Sequence, residues 1–371
     1  MEKENTLAFI KELSEAPGVS GFEDEVLKVI RRHGEGLGEW KEDAMRNLFL
    51  YRTGGSSFSG RSSNRSGGEV GRPLLMLDAH SDEVGFMVRA IRPNGTLDFV
   101  TLGGWVASNV PAHRVLVRNE LGAWLPGIVA SKPPHYISEA EQKLAPDITT
   151  MVIDVGAGSD REIREEYHIG IAAPVVPDVS FEYIGCHDVM IGKAFDNRLG
   201  CAAIVSVLRE LAGDNLPFDI TGAFATQEEV GLRGAMVTSQ VVKPDIAIAF
   251  EGCPADDTVL EPYLVQTALK KGPMLRHIDG RMITNPRFQK FALEAARKKG
   301  IPVQEAVRVG SATNGGVIHL EGKAVPTIVI GVPARYIHTH YGLASYSDYE
   351  NTVRLACEVI RSLDEKVLAG F

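Results

Sequence analysis

The sequence predicts an α/β fold: a mixed, largely parallel sheet flanked by helices, with a small all-β domain inserted into it. Two textures and one misplaced run carry that expectation. From about 178 onward, apolar runs such as ITGAFAT, DIAIAF and TIVIGV alternate with amphipathic helical stretches, the pattern of β and α units sharing one sheet. Between 88 and 177 the chain breaks into short β-rich runs separated by RPNG, LGGW, RNELG and KPPH, with no helical period. The run LLML at 74 to 77 has the character of the first texture yet precedes the second. The β-rich part is therefore expected to interrupt the other, giving an α/β domain of 1–87 and 178–371 and an insert of 88–177.

Taken in order, the opening reads as two short amphipathic helices around APGVSG, the second with Val26, Leu27 and Ile30 on one face, and is assigned to packing. Residues 53–71, mostly Gly, Ser and Arg, cannot bury enough apolar surface to order themselves and are expected to form a flexible surface loop. The later helices are expected over 197–212, over 285–299 with Asn285 as cap and Pro286 in the first turn, and over 348–368 with Asp348 as cap.

Composition removes several classes of function. The 371 residues carry 39 Lys and Arg against 48 Asp and Glu, a net charge of −9, with no basic block to follow a phosphate backbone, so no nucleic-acid partner is expected. No stretch approaches the roughly 20 apolar residues of a membrane span, and the acidic, amphipathic start is unlike a signal peptide. A cytoplasmic protein without a membrane partner is the expectation. Cys186, Cys201, Cys253 and Cys357 form no CxxC pair and read as reduced thiols.

Chemistry is concentrated where apolar runs end. LLML leads into Asp78, His80 and Asp82; ITGAFAT into Gln227, Glu228 and Glu229; DIAIAF into Glu251; and TIVIGV is followed by PARYIH, which holds His338. Ligands of open α/β sheets bind outside the carboxyl ends of strands, so four segments aim acidic or imidazole groups at one edge. GKAFDNRLG adds Asp196 just before a helix. Histidines and carboxylates without a cysteine ligand pattern suit zinc, cobalt or manganese, and this many carboxylates accommodate two ions with a bridging hydroxide as nucleophile. In the Glu228–Glu229 pair one carboxylate would bind metal while its neighbour takes a proton from water, and Asp82 could hold the other nitrogen of His80. Singly, each of these would be a solvated polar group; jointly they make a site. The remaining histidines carry no such pattern, His135 being read as a turn residue of the insert and Cys253 as a small buried hydrophobe.

Through APGVSGFEDEV, AHSDEVGFMV, GKAFDNRLG, ATQEEVGLRGA, EGCPADD and VPARYIH, the chain resembles the dinuclear metalloaminopeptidases that include the glutamyl, deblocking and tetrahedral-assembly aminopeptidases. Some members of that family carry cellulase or endoglucanase labels. The resemblance implies a zinc-exopeptidase-like α/β domain, with His80 and His338 each a terminal ligand of one metal. It further implies Asp196 as the bridging carboxylate, Glu229 on one ion, Glu251 on the other, Glu228 as general base and Asp82 as partner of His80. A cis peptide between Asp196 and Asn197, and an insert that serves dimerisation, with dimers assembling into dodecamers in some members, are implied in the same way. Two positions depart from the pattern: Glu251, often Asp in relatives, and Asn314, near which relatives often have Asp.

The expected function is removal of the N-terminal residue from peptide substrates by a homo-oligomeric enzyme with two divalent ions, zinc foremost. Alternatives are a metal-dependent deacylase of N-acyl amino acids on the same centre, a metal-free glycosidase against which the histidines argue, and a non-catalytic scaffold. Arg335, Lys271 and the segment KKGPMLRHIDG are read equally as the lining of a specificity pocket for acidic side chains or as solvated charges.

Overall fold

A computed structural model of the protein describes residues 2–53, 72–138 and 144–371. Apart from Thr53, the Gly/Ser/Arg-rich stretch expected to be a loop lies outside the described residues. The main body is an 11-stranded mixed sheet among the described residues, with a separate closed antiparallel barrel of six strands running from Gly85–Ile91 to Pro174–Pro177. The fold class expected from the sequence is the one observed.

Four neighbouring strands form the middle of the sheet, all parallel, in the order Asp219–Ala225, Leu74–His80, Ile246–Pro254 and Thr327–Arg335. Their residues are buried almost without exception, which explains why they read as continuous apolar runs without alternation: a strand covered on both faces has no solvent side. Three of these strands run further than the apolar runs suggest. His80 is the last residue of its strand, and Glu251 lies within Ile246–Pro254, opposite Gly331. Ala225 pairs with His80, and Ala249 with Asp78, so the polar groups of adjacent strands reach the same level.

The helix Phe195–Glu210 fills the space against this level, with Leu199, Ala202, Ala203, Val205 and Leu208 fully buried. It begins two residues before the expected start, and Asp196 and Asn197 inside it have non-helical dihedrals. The peptide between them is cis, as the resemblance implies. Close approach of backbone fixes this segment: a Cβ on Gly252 would stand 2.5 Å from both the Cα of Asp196 and the carbonyl oxygen of Phe195.

The opening helices are Lys3–Glu15 and Asp24–His33. The cap at Asn285 is as expected, its side chain accepting from the amides of Arg287 and Phe288 before the helix Pro286–Lys299. The last helical stretch differs from the expectation. It divides into Tyr346–Arg361 and Glu365–Leu368, because Asp364 caps a new helix by accepting from the Val367 amide. Asp348 does not cap the first of these; it is buried and accepts from the amides of Lys270 and Gly272 instead. The barrel region also contains a helix where none was expected, Asp160–Glu165, started by the Ser159 side chain on the Glu162 amide.

Gly252→Ala is expected to destabilise the protein by about 1–3 kcal/mol, because backbone rather than a flexible side chain must yield to the added methyl. Chemical denaturation checks this, with Gly213→Ala, which meets nothing within 4 Å, as the neutral comparison.

Candidate metal centre

The carboxyl ends of the central strands bring the predicted residues into one cluster. His80 Nε2 lies 3.1 Å from Asp196 Oδ1, 3.7 Å from Glu251 Oε1 and 3.8 Å from Glu228 Oε2. His338 Nε2 lies 3.7 Å from Asp196 Oδ2 and 3.6 Å from Glu229 Oε2. Asp196 therefore turns one oxygen to each histidine. Among the described residues, three groups have donor atoms within 4.8 Å of one another: His80 with Asp196 and Glu251, His338 with Asp196 and Glu229, and His80 with Glu228 and Glu229.

Asp82 sits beneath this cluster, fully buried. Its Oδ1 accepts from the Glu228 amide at 3.0 Å and lies 3.3 Å from His80 Nδ1, while its Oδ2 accepts from the Glu229 amide at 3.1 Å. His80 Nδ1 also lies 3.2 Å from the main-chain oxygen of Asp82, so this one residue orients the imidazole through both oxygens while its carboxylate orients the adjacent glutamate pair. His338 is held from the other side, by the insert: its Nδ1 is 2.9 Å from the carbonyl oxygen of Gly104. The turn Gly103–Gly104 approaches so closely that a Cβ on Gly103, at φ +81°, would stand 3.2 Å from Glu229 Oε2, and one on Gly104 would stand 3.3 Å from His338 Nδ1. Trp105 and His113 of the insert then pack on buried His340, His113 stacking on it at 4.1 Å between ring centres. Burial and the neighbouring His113 push His340 down to about 3.

So many acids in a buried space cannot all ionise without compensation. Burial, reinforced by the Asp196 charge, pushes Glu229 up to about 8 and Glu251 up to about 7. Burial likewise drives Glu228 well above the usual carboxylate range, Glu251 and Glu229 adding to it. Burial opposes charge on the histidines but is overcome, for His80 by Glu228 and Asp196 foremost and for His338, raised to about 10, by Asp196 and Glu229. Without other compensation the three glutamates favour a proton, whereas the histidines hold Asp196 and Asp82 below the usual carboxylate range. Divalent cations among these nitrogen and oxygen donors would supply the same compensation, so the residues fit a metal centre.

Other sequence candidates fall elsewhere. His135 is exposed on the insert and belongs to none of the donor groups. Cys253 is a buried thiol pushed up to about 12 by burial, packed with Met274 and Ala306. The Arg335 guanidinium is committed to both oxygens of Asp257, at 2.9 and 2.6 Å, whereas Lys271 is exposed. Asn314 is buried and donates to Asp78 at 2.8 Å, so it is a partner of an interior acid rather than a surface residue.

Sequence reasoning missed a second group of buried charges beside the centre. Glu83 accepts from Lys193 Nζ at 2.6 and 2.7 Å, from Arg198 at 3.3 Å and from the Gly18 amide at 3.0 Å. Arg198 also donates to the carbonyls of Leu13, Ala16 and Gly18. The available signal was Lys193 and Arg198 flanking Asp196 in GKAFDNRLG, two cations too close to an apolar helix to be left without a buried acid.

Comparison with known proteins gives the same direction. A family model described as M42 glutamyl aminopeptidase matches residues 62–355. The chain is 30% identical over 366 residues to the lysyl aminopeptidase of Pyrococcus furiosus, covering 95% of this chain and 96% of that protein. The crystal structure of a TET aminopeptidase from the marine sediment archaeon Thaumarchaeota archaeon SCGC AB-539-E09 superposes with a TM-score of 0.90 at 36% identity, over 99% of both chains. The Pyrococcus horikoshii TET1 peptidase, described as assembling into a tetrahedron or a large octahedral shell, superposes with a TM-score of 0.83 at 26% identity, over 96% of this chain and all of that one.

Removing the carboxylate beneath the cluster with Asp82→Ala is expected to weaken zinc binding about 10–100-fold, the usual cost of losing an outer partner of a metal-binding histidine. Competition against a chromophoric chelator measures the change.

Proposed function

This chain belongs to the M42 glutamyl aminopeptidase family and is an aminopeptidase, and from that premise we propose that it removes N-terminal residues from peptides with two divalent ions held at the strand-end cluster. The observation that carries the reading is Asp196, whose two oxygens face His80 and His338 separately. In this reading His80, Asp196 and Glu251 hold one ion and Asp196, Glu229 and His338 the other. Zinc suits the donor set best, with cobalt or manganese as alternatives. Two such ions supply Lewis acidity toward the scissile carbonyl and acidify water near neutral pH.

The side chains do the rest. Glu228 lies outside those two trios, although it shares the third donor group with His80 and Glu229; within 3.8 Å of His80 Nε2, it suits the base that takes a proton from the attacking water and passes it to the leaving amine. Asp82 fixes the tautomer of His80 and the direction of the Glu228–Glu229 turn. A free α-amino group, cationic near neutral pH, is drawn to the surrounding carboxylates, and N-acetylation removes that attraction. Arg335 is paired with both oxygens of Asp257, so an acidic substrate side chain would share its charge with that carboxylate.

The insert, 88–177, is the proposed self-association surface. Val106, Leu121, Ile128 and Ile171 are exposed on it, and apolar surface of this kind supports pairing of two chains, with a dodecamer as the larger assembly. A cytoplasmic, peptide-degrading role accompanies this reading.

Two measurements test it. Glu228→Gln is expected to keep both ions and the fold while kcat falls about 10²–10⁴-fold; loss of an ion from that variant would make Glu228 a ligand. Aminoacyl-p-nitroanilides should be cleaved by chelator-treated enzyme only after zinc, cobalt or manganese is restored, and their N-acetylated counterparts not at all. Cleavage confined to the acetylated set would establish a deacylase.

A further inference from the structure

The short turn Gly18–Glu23, between the first two helices, reaches the metal centre from the opposite end of the sequence. Ser20 Oγ donates to Asp82 Oδ2 at 2.6 Å. Glu23 Oε1 accepts from the Gly21 amide at 2.8 Å and from the Gln227 amide at 3.1 Å. Glu23 stands at the capping position of the helix Asp24–His33, yet its side chain makes no bond to that helix. It is buried, 2% exposed, and extends to the segment that carries Glu228.

That segment needs holding. Gln227 has φ +52°, a left-handed conformation that a residue with a Cβ rarely adopts. It immediately precedes Glu228. The amides of Gln227, Glu228 and Glu229 are pinned in succession, the first by Glu23 and the next two by Asp82, which Ser20 pins in turn. The turn itself cannot drift, because Gly18 both donates to the Glu83 carboxylate and accepts from the Glu83 amide and from Arg198.

We infer that Glu23 is a positioning residue for Glu228: by binding the Gln227 amide it holds the left-handed turn that aims the glutamate pair, and Ser20 supports the same turn through Asp82. The inference rests on the reading of Glu228 as the base. A side chain that only packs would affect the stability of the whole molecule, whereas one that aims a turn affects that turn and the reaction it serves.

The test compares Glu23→Ala with Glu23→Gln, whose amide oxygen can accept the same two bonds. In metal-free protein, hydrogen–deuterium exchange at the amides of 226–230 should accelerate at least about tenfold in Glu23→Ala, with the helix Phe195–Glu210 unchanged. In zinc-loaded protein, kcat should fall about 10–100-fold, with KM and zinc stoichiometry kept, and Glu23→Gln should restore both readouts. Unchanged exchange at 226–230, a lowered Tm with kcat per folded molecule intact, or a Glu23→Gln variant as impaired as Glu23→Ala would each overturn the inference. If Glu23→Ala fails to fold, Ser20→Ala takes its place: faster exchange at 226–230 with a kcat loss of several-fold supports the inference, and unchanged exchange overturns it. Wild-type protein without metal-dependent hydrolysis would defeat the aminopeptidase reading of the site, whereas the exchange measurement decides the positioning of the turn independently.

Discussion

A carboxylate buried without compensation costs more than a fold of this size can spare, and Asp82 is buried completely. It is tolerated because His80, two successive backbone amides and the Ser20 hydroxyl all point at it. Each partner belongs to a different feature of the centre: a ring on a strand end, the glutamate pair beyond the next strand, and the N-terminal turn. The need to satisfy one charge therefore brings these features into register, and the geometry above Asp82 follows from what lies below it.

Above that level the balance reverses. The acids facing the cleft have fewer amide partners, and their protonation depends on one another and on two imidazoles. A site of this kind stores electrostatic demand that a multivalent cation meets better than protons do, since each ion serves several carboxylates at once. The lower layer is fully hydrogen-bonded, whereas the acids of the upper layer are not.

Much of this was legible in the sequence, and the reason is periodicity. Strands buried on both faces write themselves as apolar runs, and acids or imidazoles at their ends stand out against that background, as His80, Glu228, Glu229, Glu251 and His338 do. Spacing alone left the neighbours Glu228 and Glu229 interchangeable, and only the motif resemblance implies different roles for them. Ser20 and Glu23 escaped because their partners are 62 and 204 residues away and a polar residue beside a helix start has an ordinary explanation as a cap. The Gly104 carbonyl escaped because a backbone atom has no residue type. The single long terminal helix was expected because the apolar period continues past Arg361, whereas Asp364 restarts the helix by a local hydrogen bond that periodicity does not register.

The insert's Gly103–Gly104 turn lies tightly against Glu229 and His338, a Cβ on either glycine standing 3.2–3.3 Å from them, and it supplies the oxygen that holds one imidazole. The two bodies of the protein therefore cannot be treated as interchangeable modules. A barrel transplanted from another chain would have to bring the same bare turn to the same spot. A change in this turn of the barrel therefore reaches His338 and Glu229 directly, because a few atoms of one body complete the surroundings of side chains carried by the other.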